Sequence, residues 1–229
     1  MKRIGIITAM AKEMLPVYSE FGDVVGSETF FNGAVYRYSD RDNLYFVATS
    51  GIGSIYAAAA TELLIERYKV EAIVNFGLAG GLNPAYGVGD LVVAKRVVHH
   101  QFDLRGIGAP RRGQYENRTS PFWDTDEEII ERFMRVVKEP LPLAVIASGD
   151  AFVSDKKIKN ELIKEFKADA CDMESAGITI IAAAHNIPVF IMKMISDKAE
   201  EQSAAEYEKC VAQGIYNYKS LIKTICAAV

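Results

Sequence analysis

The sequence predicts an α/β fold on a mixed sheet. Continuous apolar runs at residues 4–8, 72–76, 143–147 and 189–192 have the pattern of strands buried on both faces. Apolar residues at helical spacing follow the first of them, in Met14, Val17, Tyr18 and Phe21, and recur in Ala57, Ala60, Thr61 and Leu64. Phe30-Phe31-Asn32-Gly33-Ala34-Val35-Tyr36 reads as two short strands about an Asn-Gly turn, which brings antiparallel pairing into the sheet. With 229 residues, 50% of them hydrophobic, one domain over 1–229 can hold a full core.

Charge and cysteine usage narrow the function classes. A formal net charge of -4 and a pI near 5.5 leave no basic footprint for nucleic acid and no polybasic patch for a membrane. The start Met1-Lys2-Arg3-Ile4-Gly5-Ile6-Ile7 resembles a signal peptide only superficially, because Thr8 and Lys12-Glu13 cut the apolar run short. No segment approaches the ~18 apolar residues of a membrane span. Cys171, Cys210 and Cys226 are odd in number and lack CxxC spacing, which argues against a disulfide framework or a zinc knuckle and fits a reducing cytoplasm.

Taken in order, 4–8 is a first core strand, and Glu13 falls at the start of the helix after it. Leu44-Tyr45-Phe46-Val47-Ala48 is a strand that ends at Ser50-Gly51-Ile52-Gly53, a glycine turn before a helix. That turn is either a tight packing element or an anion cradle, since N–H groups at a helix start are free to bind oxygen. The strand 72–76 runs into a glycine cluster, Gly77-Leu78-Ala79-Gly80-Gly81, and Leu91-Val92-Val93-Ala94 is another strand. His99 and His100 follow; adjacent residues of a strand point to opposite faces, so a shared metal is disfavoured. Residues 105–124 are the longest stretch without periodicity, with Arg105, Arg111 and Arg112 as either a solvated face or a contact to an acidic ligand or partner.

Residues 125–138 read as an amphipathic helix and 143–147 as a strand closed by Ser148-Gly149-Asp150-Ala151-Phe152-Val153. Phe152 is either core or a lid over a flat ring. A Lys-rich helix at 156–167 precedes Ala170-Cys171-Asp172-Met173-Glu174-Ser175, where a strand passes into an Ala-rich helix. Asp172 and Glu174 there are solvated or helix-capping in the simplest reading. The strand 189–192 ends in Lys193-Met194-Ile195-Ser196-Asp197, and a last helix runs roughly from 203 to 227 with Tyr207, Val211, Ile215, Tyr218 and Ile222 at core spacing.

Glu13, Glu174 and Asp197 thus all fall beyond apolar strands, where open α/β sheets place ligands. Three acids with glycine turns and a Phe-bearing loop suit a substrate with hydroxyls and a flat apolar ring. Ala9-Met10 with Glu13, Ser50-Gly51-Ile52-Gly53, Gly77-Leu78-Ala79-Gly80-Gly81, Ser148-Gly149-Asp150-Ala151-Phe152, Met173-Glu174 and Ile195-Ser196-Asp197 occur in the order and spacing of the nucleoside phosphorylase superfamily, which the chain resembles from first strand to last helix. Within it, the chain looks most like the 5′-methylthioadenosine/S-adenosylhomocysteine nucleosidases. The resemblance implies a three-layer α/β/α sandwich around a mixed, partly barrel-like sheet. It also implies a homodimer in which the partner subunit completes the 5′-pocket, with no cofactor and no metal.

The same resemblance implies roles. Glu13 would activate the attacking water, Asp197 would protonate adenine at N7, and Glu174 would hold the ribose hydroxyls. Met173 would pack on the sugar, Phe152 would stack on adenine with Val153 backbone at its edge, and Ser196 would orient Asp197. Ile52 and Tyr207 match the lining of the 5′-pocket, Tyr207 in place of an expected phenylalanine, and Met10, Ala79 and Gly80 match substrate-binding positions. The acid role demands burial of Asp197, which Ile195 and Phe190 would supply.

Departures leave competing readings. The resemblance leads to the expectation, for a bacterial purine phosphorylase, of an arginine and a serine where this chain has Asn75 and Leu78, which favours water over phosphate, although Arg105, Arg111 or Arg112 could substitute. The nucleosidases lead to the expectation of serine at Leu78 and glutamate at Asp172. Arg105 in the 5′-pocket loop suggests a carboxylate on the substrate, as in S-adenosylhomocysteine or a futalosine-type nucleoside. Outside enzymes, a nucleoside-binding sensor would have no need of both an acid and a base.

Overall fold

The computed structural model describes the chain apart from Gly22, Phe31, Asn32, Arg41, Ile215 and Tyr216, and apart from the side chains of Leu15, Pro16, Val17 and Ser19. The Asn-Gly turn at Asn32 and the core positions expected for Val17 and Ile215 therefore lie outside the described residues.

The sheet grows from β1 (Lys2–Thr8), whose last five residues are all buried, as its continuous apolar run requires. Helix α1 (Ala11–Phe21) follows, then β2 (Gly26–Phe30), β3 (Gly33–Ser39) and β4 (Asn43–Thr49), helix α2 (Ser54–Glu66), and β5 (Ala72–Gly81). After β6 (Leu91–His99) come a 3-10 turn at Arg105–Ile107, β7 (Phe122–Asp124), α3 (Glu127–Val136), β8 (Leu143–Ser148) and α4 (Lys156–Phe166). The chain ends in β9 (Ala170–Asp172), α5 (Ser175–Ala184), β10 (Val189–Asp197), α6 (Ser203–Gln213) and α7 (Ile222–Ala228).

Strand order is β10-β6-β8-β9-β5-β1-β4-β3-β2, and β10 also pairs with β5, so β5, β10, β6, β8 and β9 close into a barrel while β1, β4, β3 and β2 extend it as an open wing. β1 is parallel to both β4 and β5; β3 is antiparallel to β2 and β4. Apolar side chains of α1, α3, α6 and α7 (Met14, Phe133, Cys210, Ile222) pack with Ile4, Ile6 and Phe76 on one side. Those of α2 and α5 (Ala57, Leu64, Ala176, Ile178) pack with Ile7 and Ile73 on the other. The expected three-layer α/β/α arrangement with a partly barrel-like sheet is what forms.

Three local expectations change. The strand expected to end in the glycine cluster runs through it, so the cluster is the second half of β5, because β9 and β10 supply hydrogen-bond partners to Gly80 and its neighbours. The aperiodic stretch contains β7, which pairs with Arg96, Val97 and Val98 of β6. The last helix is two helices, since α6 stops at Gly214, whose left-handed φ of 59° ends it.

Candidate active site

Each acid is brought into place by a different local device. Glu13 lies in the first turn of α1 and folds back on the strand-to-helix turn: its Oε2 accepts the N–H groups of Ala9 and Met10, each at 3.0 Å, while its own N–H donates to the Met10 carbonyl. The Glu13 carboxylate reaching back to the Met10 N–H is the side-chain half of a capping box. Its Oε1 leaves the helix and accepts the Leu78 N–H of β5 at 3.1 Å. Burial raises the pKa of Glu13, against the opposing pull of the Lys193 charge and these three N–H donors.

Glu174 and Asp172 exchange the roles expected of a simple helix start. Glu174 occupies the cap position of α5 but makes no capping bond. Asp172 caps instead, accepting the Ser175 N–H at 3.3 Å and the Ser175 hydroxyl. Both acids are buried rather than solvated. Glu174 Oε1 reaches across to the Gly53 N–H at 2.9 Å, at the head of α2. Its pKa is pushed up to about 7, chiefly by burial and further by the charges of Asp172 and Glu13, with Lys193 and the Gly53 N–H opposing.

Asp197 sits where β10 departs from regular pairing. Ile195 faces Ala79 and Asp197 faces Gly80, so Ser196 is the extra residue of a bulge. Bulges re-aim side chains next to active sites. Asp197 is buried, with Oδ2 accepting the Ser196 hydroxyl at 2.7 Å and Oδ1 accepting the Ala199 N–H at 2.9 Å.

Sequence reasoning passed over Lys193. It is buried inside β10, and its Nζ pairs with Asp172 at 2.8 Å. Burial alone would lower its pKa, but Asp172, Glu174 and Glu13 together outweigh that and raise it. One ammonium is therefore paired with Asp172 and lies within electrostatic reach of Glu174 and Glu13. The available signal was a lysine in the middle of Val-Phe-Ile-Met-Lys-Met-Ile, a strand buried on both faces, where a charge persists only if paired.

The acids form the floor of a cavity of about 340 Å³, whose lining does not include Lys193 and which every expected site residue lines: Met10, Glu13, Ile52, Ala79, Gly80, Phe152, Val153, Met173, Glu174, Ser196, Asp197 and Tyr207. Leu78, Cys171 and Asp172 join them. At the rim, the Phe152 and Tyr207 rings meet edge to face with centroids 5.8 Å apart, and the Tyr207 hydroxyl lies 3.3 Å from Met10 Sδ.

Other expectations resolve away from the cavity. The cradle at Ser50-Gly51-Ile52-Gly53 does bind anions, but they are protein carboxylates: Gly53 N–H serves Glu174 and Ser54 N–H serves Asp150 at 2.6 Å. Asn75 donates to the Ile7 carbonyl at 2.9 Å, tying β5 to β1, whereas Leu78 puts an apolar side chain into the cavity. Arg105 does not line the cavity. It bonds Asp103 at 2.6 and 2.9 Å, and Arg112 pairs with Glu165 at 2.8 Å over the Phe166 ring. His99 Nδ1 lies 2.9 Å from the Tyr115 hydroxyl. Among the described residues, Glu62, Glu66 and His185 could gather donor atoms within 4.8 Å of one another, on the outer face of α2 and α5.

Comparison with known proteins places this geometry. An aminodeoxyfutalosine nucleosidase of Campylobacter jejuni is 28% identical over 229 residues, covering 99% of each chain. A 5′-methylthioadenosine/S-adenosylhomocysteine nucleosidase of Buchnera aphidicola is 30% identical over 214 residues, 90% of this chain and 82% of that one. A crystal structure of the Helicobacter pylori 5′-methylthioadenosine/S-adenosylhomocysteine nucleosidase, complexed with a pyrrolidinol that carries a 4-aminopyrrolopyrimidine and a propynylthiomethyl group, superposes with a TM-score of 0.94 at 26% identity over 100% of this chain and 99% of that one. A family model described as the Phosphorylase superfamily matches residues 3–227. Fold and coverage agree, and the chain belongs to the Phosphorylase superfamily.

Proposed function

We propose that this chain hydrolyses the N-glycosidic bond of 5′-methylthioadenosine or S-adenosylhomocysteine, releasing adenine and the 5-thio-substituted ribose. The observation that carries the reading is the convergence of Glu13, Glu174 and Asp197 on one cavity that also holds Phe152 and Met173. Relatives named as nucleosidases support it.

Cleavage of the bond leaves an oxocarbenium-like sugar and a purine needing a proton. Asp197 supplies that proton at N7 while the Ser196 hydroxyl holds its other oxygen. Water attacks the anomeric carbon, and Glu13, fixed by Ala9, Met10 and Leu78, accepts the proton that water loses. Glu174, anchored by Gly53 through one oxygen, receives the ribose hydroxyls with the other and adds negative charge beside the developing cation. Lys193 keeps Glu13 and Glu174 from repelling one another and is a positioning residue. Phe152 stacks on adenine, and Ile52, Tyr207 and Met10 receive the 5′-substituent.

Leu78 beside Glu13 offers phosphate neither a charge nor a hydroxyl, which favours water as the nucleophile. Incubation with methylthioadenosine, with and without phosphate, tests this: free thio-ribose in both cases is expected. A sugar 1-phosphate that needs phosphate overturns hydrolysis, and binding without turnover makes the chain a sensor.

A second substrate is favoured by the Campylobacter relative: an aminodeoxyfutalosine-type nucleoside, bulkier and carboxylated at the 5′ side. Competition between it and methylthioadenosine decides the order. Exposed apolar side chains support a homodimer: Ile52 and Phe152 at the rim are 53% and 46% exposed, and, away from it, Ile55 of α2 is 77% and Ile107 79% exposed. Light scattering at twice the chain mass of 25.3 kDa is expected. Such an enzyme would work in the cytoplasm; among the described residues no helix is long and apolar enough to cross a membrane.

A further inference from the structure

The head of α2 is capped by a residue that is distant in sequence and outside the roles assigned above. Ser54, the first residue of α2, donates its N–H to Asp150 Oδ1 at 2.6 Å and its hydroxyl to Asp150 Oδ2 at 2.6 Å. Asp150 is exposed as a residue, yet both of its carboxylate oxygens are engaged inward. Its own N–H donates to the Gln101 side chain at 2.5 Å. One residue before Ser54, the Gly53 N–H is the group that holds Glu174.

The local backbone has little freedom to compensate. Gly53 has φ 105°, a conformation that favours glycine, and a Cβ there would stand 3.1 Å from Asp150 Oδ1. Behind it, α5 approaches so closely that a Cβ on Gly177 would collide with the Ser54 carbonyl. The direction of the Gly53 N–H is therefore set by two things: the packing of α5 and the clamp of Asp150 on the next residue. Asp150 lies two residues before Phe152, on the loop that lines the cavity opposite in sequence to Glu174.

We propose that Asp150 is a positioning residue that acts through Ser54 and Gly53 to aim Glu174 at the ribose, and so fixes the sugar clamp relative to the loop that carries Phe152. The proposal rests on the nucleosidase reading for the identity of the ligand, but its mechanical content is separate. A helix cap that only stabilises the fold would, when lost, weaken every substrate alike. A cap that aims Glu174 would weaken substrates in proportion to what their hydroxyls gain from that carboxylate.

The test compares 5′-methylthioadenosine with its 2′-deoxy analogue as substrates of the wild type and of Asp150→Ala, Asp150→Asn, Ser54→Ala and Glu174→Gln. The readout is the ratio of their kcat/KM values within each variant. Glu174→Gln sets the floor of that ratio. Asp150→Ala is expected to lower the ratio toward this floor by roughly three- to thirtyfold, the equivalent of losing one cap, and Ser54→Ala by less. Asp150→Ala added to Glu174→Gln should then change the ratio hardly at all. An unchanged ratio in Asp150→Ala, with both substrates weakened equally, overturns the proposal and leaves the nucleosidase reading standing. Should Asp150→Ala fail to fold, Ser54→Ala and Asp150→Asn carry the same comparison, and an unchanged ratio in both overturns it. If the wild type turns over neither substrate, the nucleosidase reading fails, and calorimetric binding of formycin A and 2′-deoxyformycin A gives the ratio. Preserved discrimination in Asp150→Ala, or no binding of either by the wild type, then overturns the proposal too.

Discussion

The floor and the rim of the cavity are built on opposite plans. Every charge of the floor comes from a strand, or from the first residues after one, and every carboxylate oxygen described there that meets protein meets a fixed backbone donor, a hydroxyl or Lys193. The rim is apolar and half exposed, with Ile52 and Phe152 on turns and Tyr207 on the first helical turns after β10. The floor is pre-organised for charge and has no slack. The rim is held by fewer polar contacts and carries more exposed apolar surface than the floor.

If the floor does the chemistry, the largest effect follows from the acid. Asp197→Asn keeps the shape and the Ser196 contact but has no proton to deliver, so kcat should fall roughly 10²–10⁴-fold, while binding of adenine nucleosides, measured by calorimetry, changes little. Near-normal turnover would mean that another group protonates the base.

The next effect is structural. Lys193→Met leaves three buried carboxylates without their cation, and breaking a buried pair on one side costs about 3–5 kcal/mol. Urea unfolding should show a loss of that order, and Asp172→Asn in the same chain should restore part of it, because the orphaned partner is then neutral. A surface pair such as Glu131 with Arg135, broken in the same way, should cost less than about 1 kcal/mol.

The difference between floor and rim also explains what was legible in the sequence. Glu13, Glu174 and Asp197 stand out because each follows an apolar run, and the runs themselves located most of the sheet. Lys193 was hidden by the same rule, since an apolar-run criterion ends the strand at the first charge, although β10 continues to Asp197. That β5 continues through its glycines is hidden for an equivalent reason: their partners, Cys171 and Asp197, are remote in sequence. Asp150 was seen only as part of a loop, because its partner Ser54 lies 96 residues away. Burial makes Asp172, at the end of β9, a cap for Ser175 and ties Glu174 to the Gly53 N–H, and no periodicity shows that.

A third effect separates floor from rim by pH. The folded-state pKa of Glu174, about 7, lies above its ordinary value of 4.5, so between those values the folded protein holds a proton that the unfolded chain releases. Stability therefore falls as pH rises from about 4.5 to about 7 and then levels off. Glu174→Gln removes that loss: it should be more stable than the wild type at pH 8, by about 3 kcal/mol, with little difference at pH 4.5. Denaturant midpoints at the two pH values test the sign. A variant equally destabilised at both would place the strain elsewhere.

The rim should give the smallest change, and one that depends on the substrate. Tyr207→Phe removes a hydroxyl that contacts Met10 Sδ while keeping the edge-to-face contact with Phe152. A weak sulfur contact and an intact ring predict a change in kcat/KM for methylthioadenosine of only about threefold or less, on the order of a single neutral hydrogen bond. For a carboxylated 5′-substituent the hydroxyl is a potential donor to an anion, and charge-assisted bonds are about twice as strong. The loss should then be larger, roughly tenfold or more. Steady-state kinetics on both substrates read this directly. Equal small losses would mean that Tyr207 only shapes the pocket. A selective loss on the carboxylated substrate would make the rim, on an unchanged floor, the part that chooses among nucleosides.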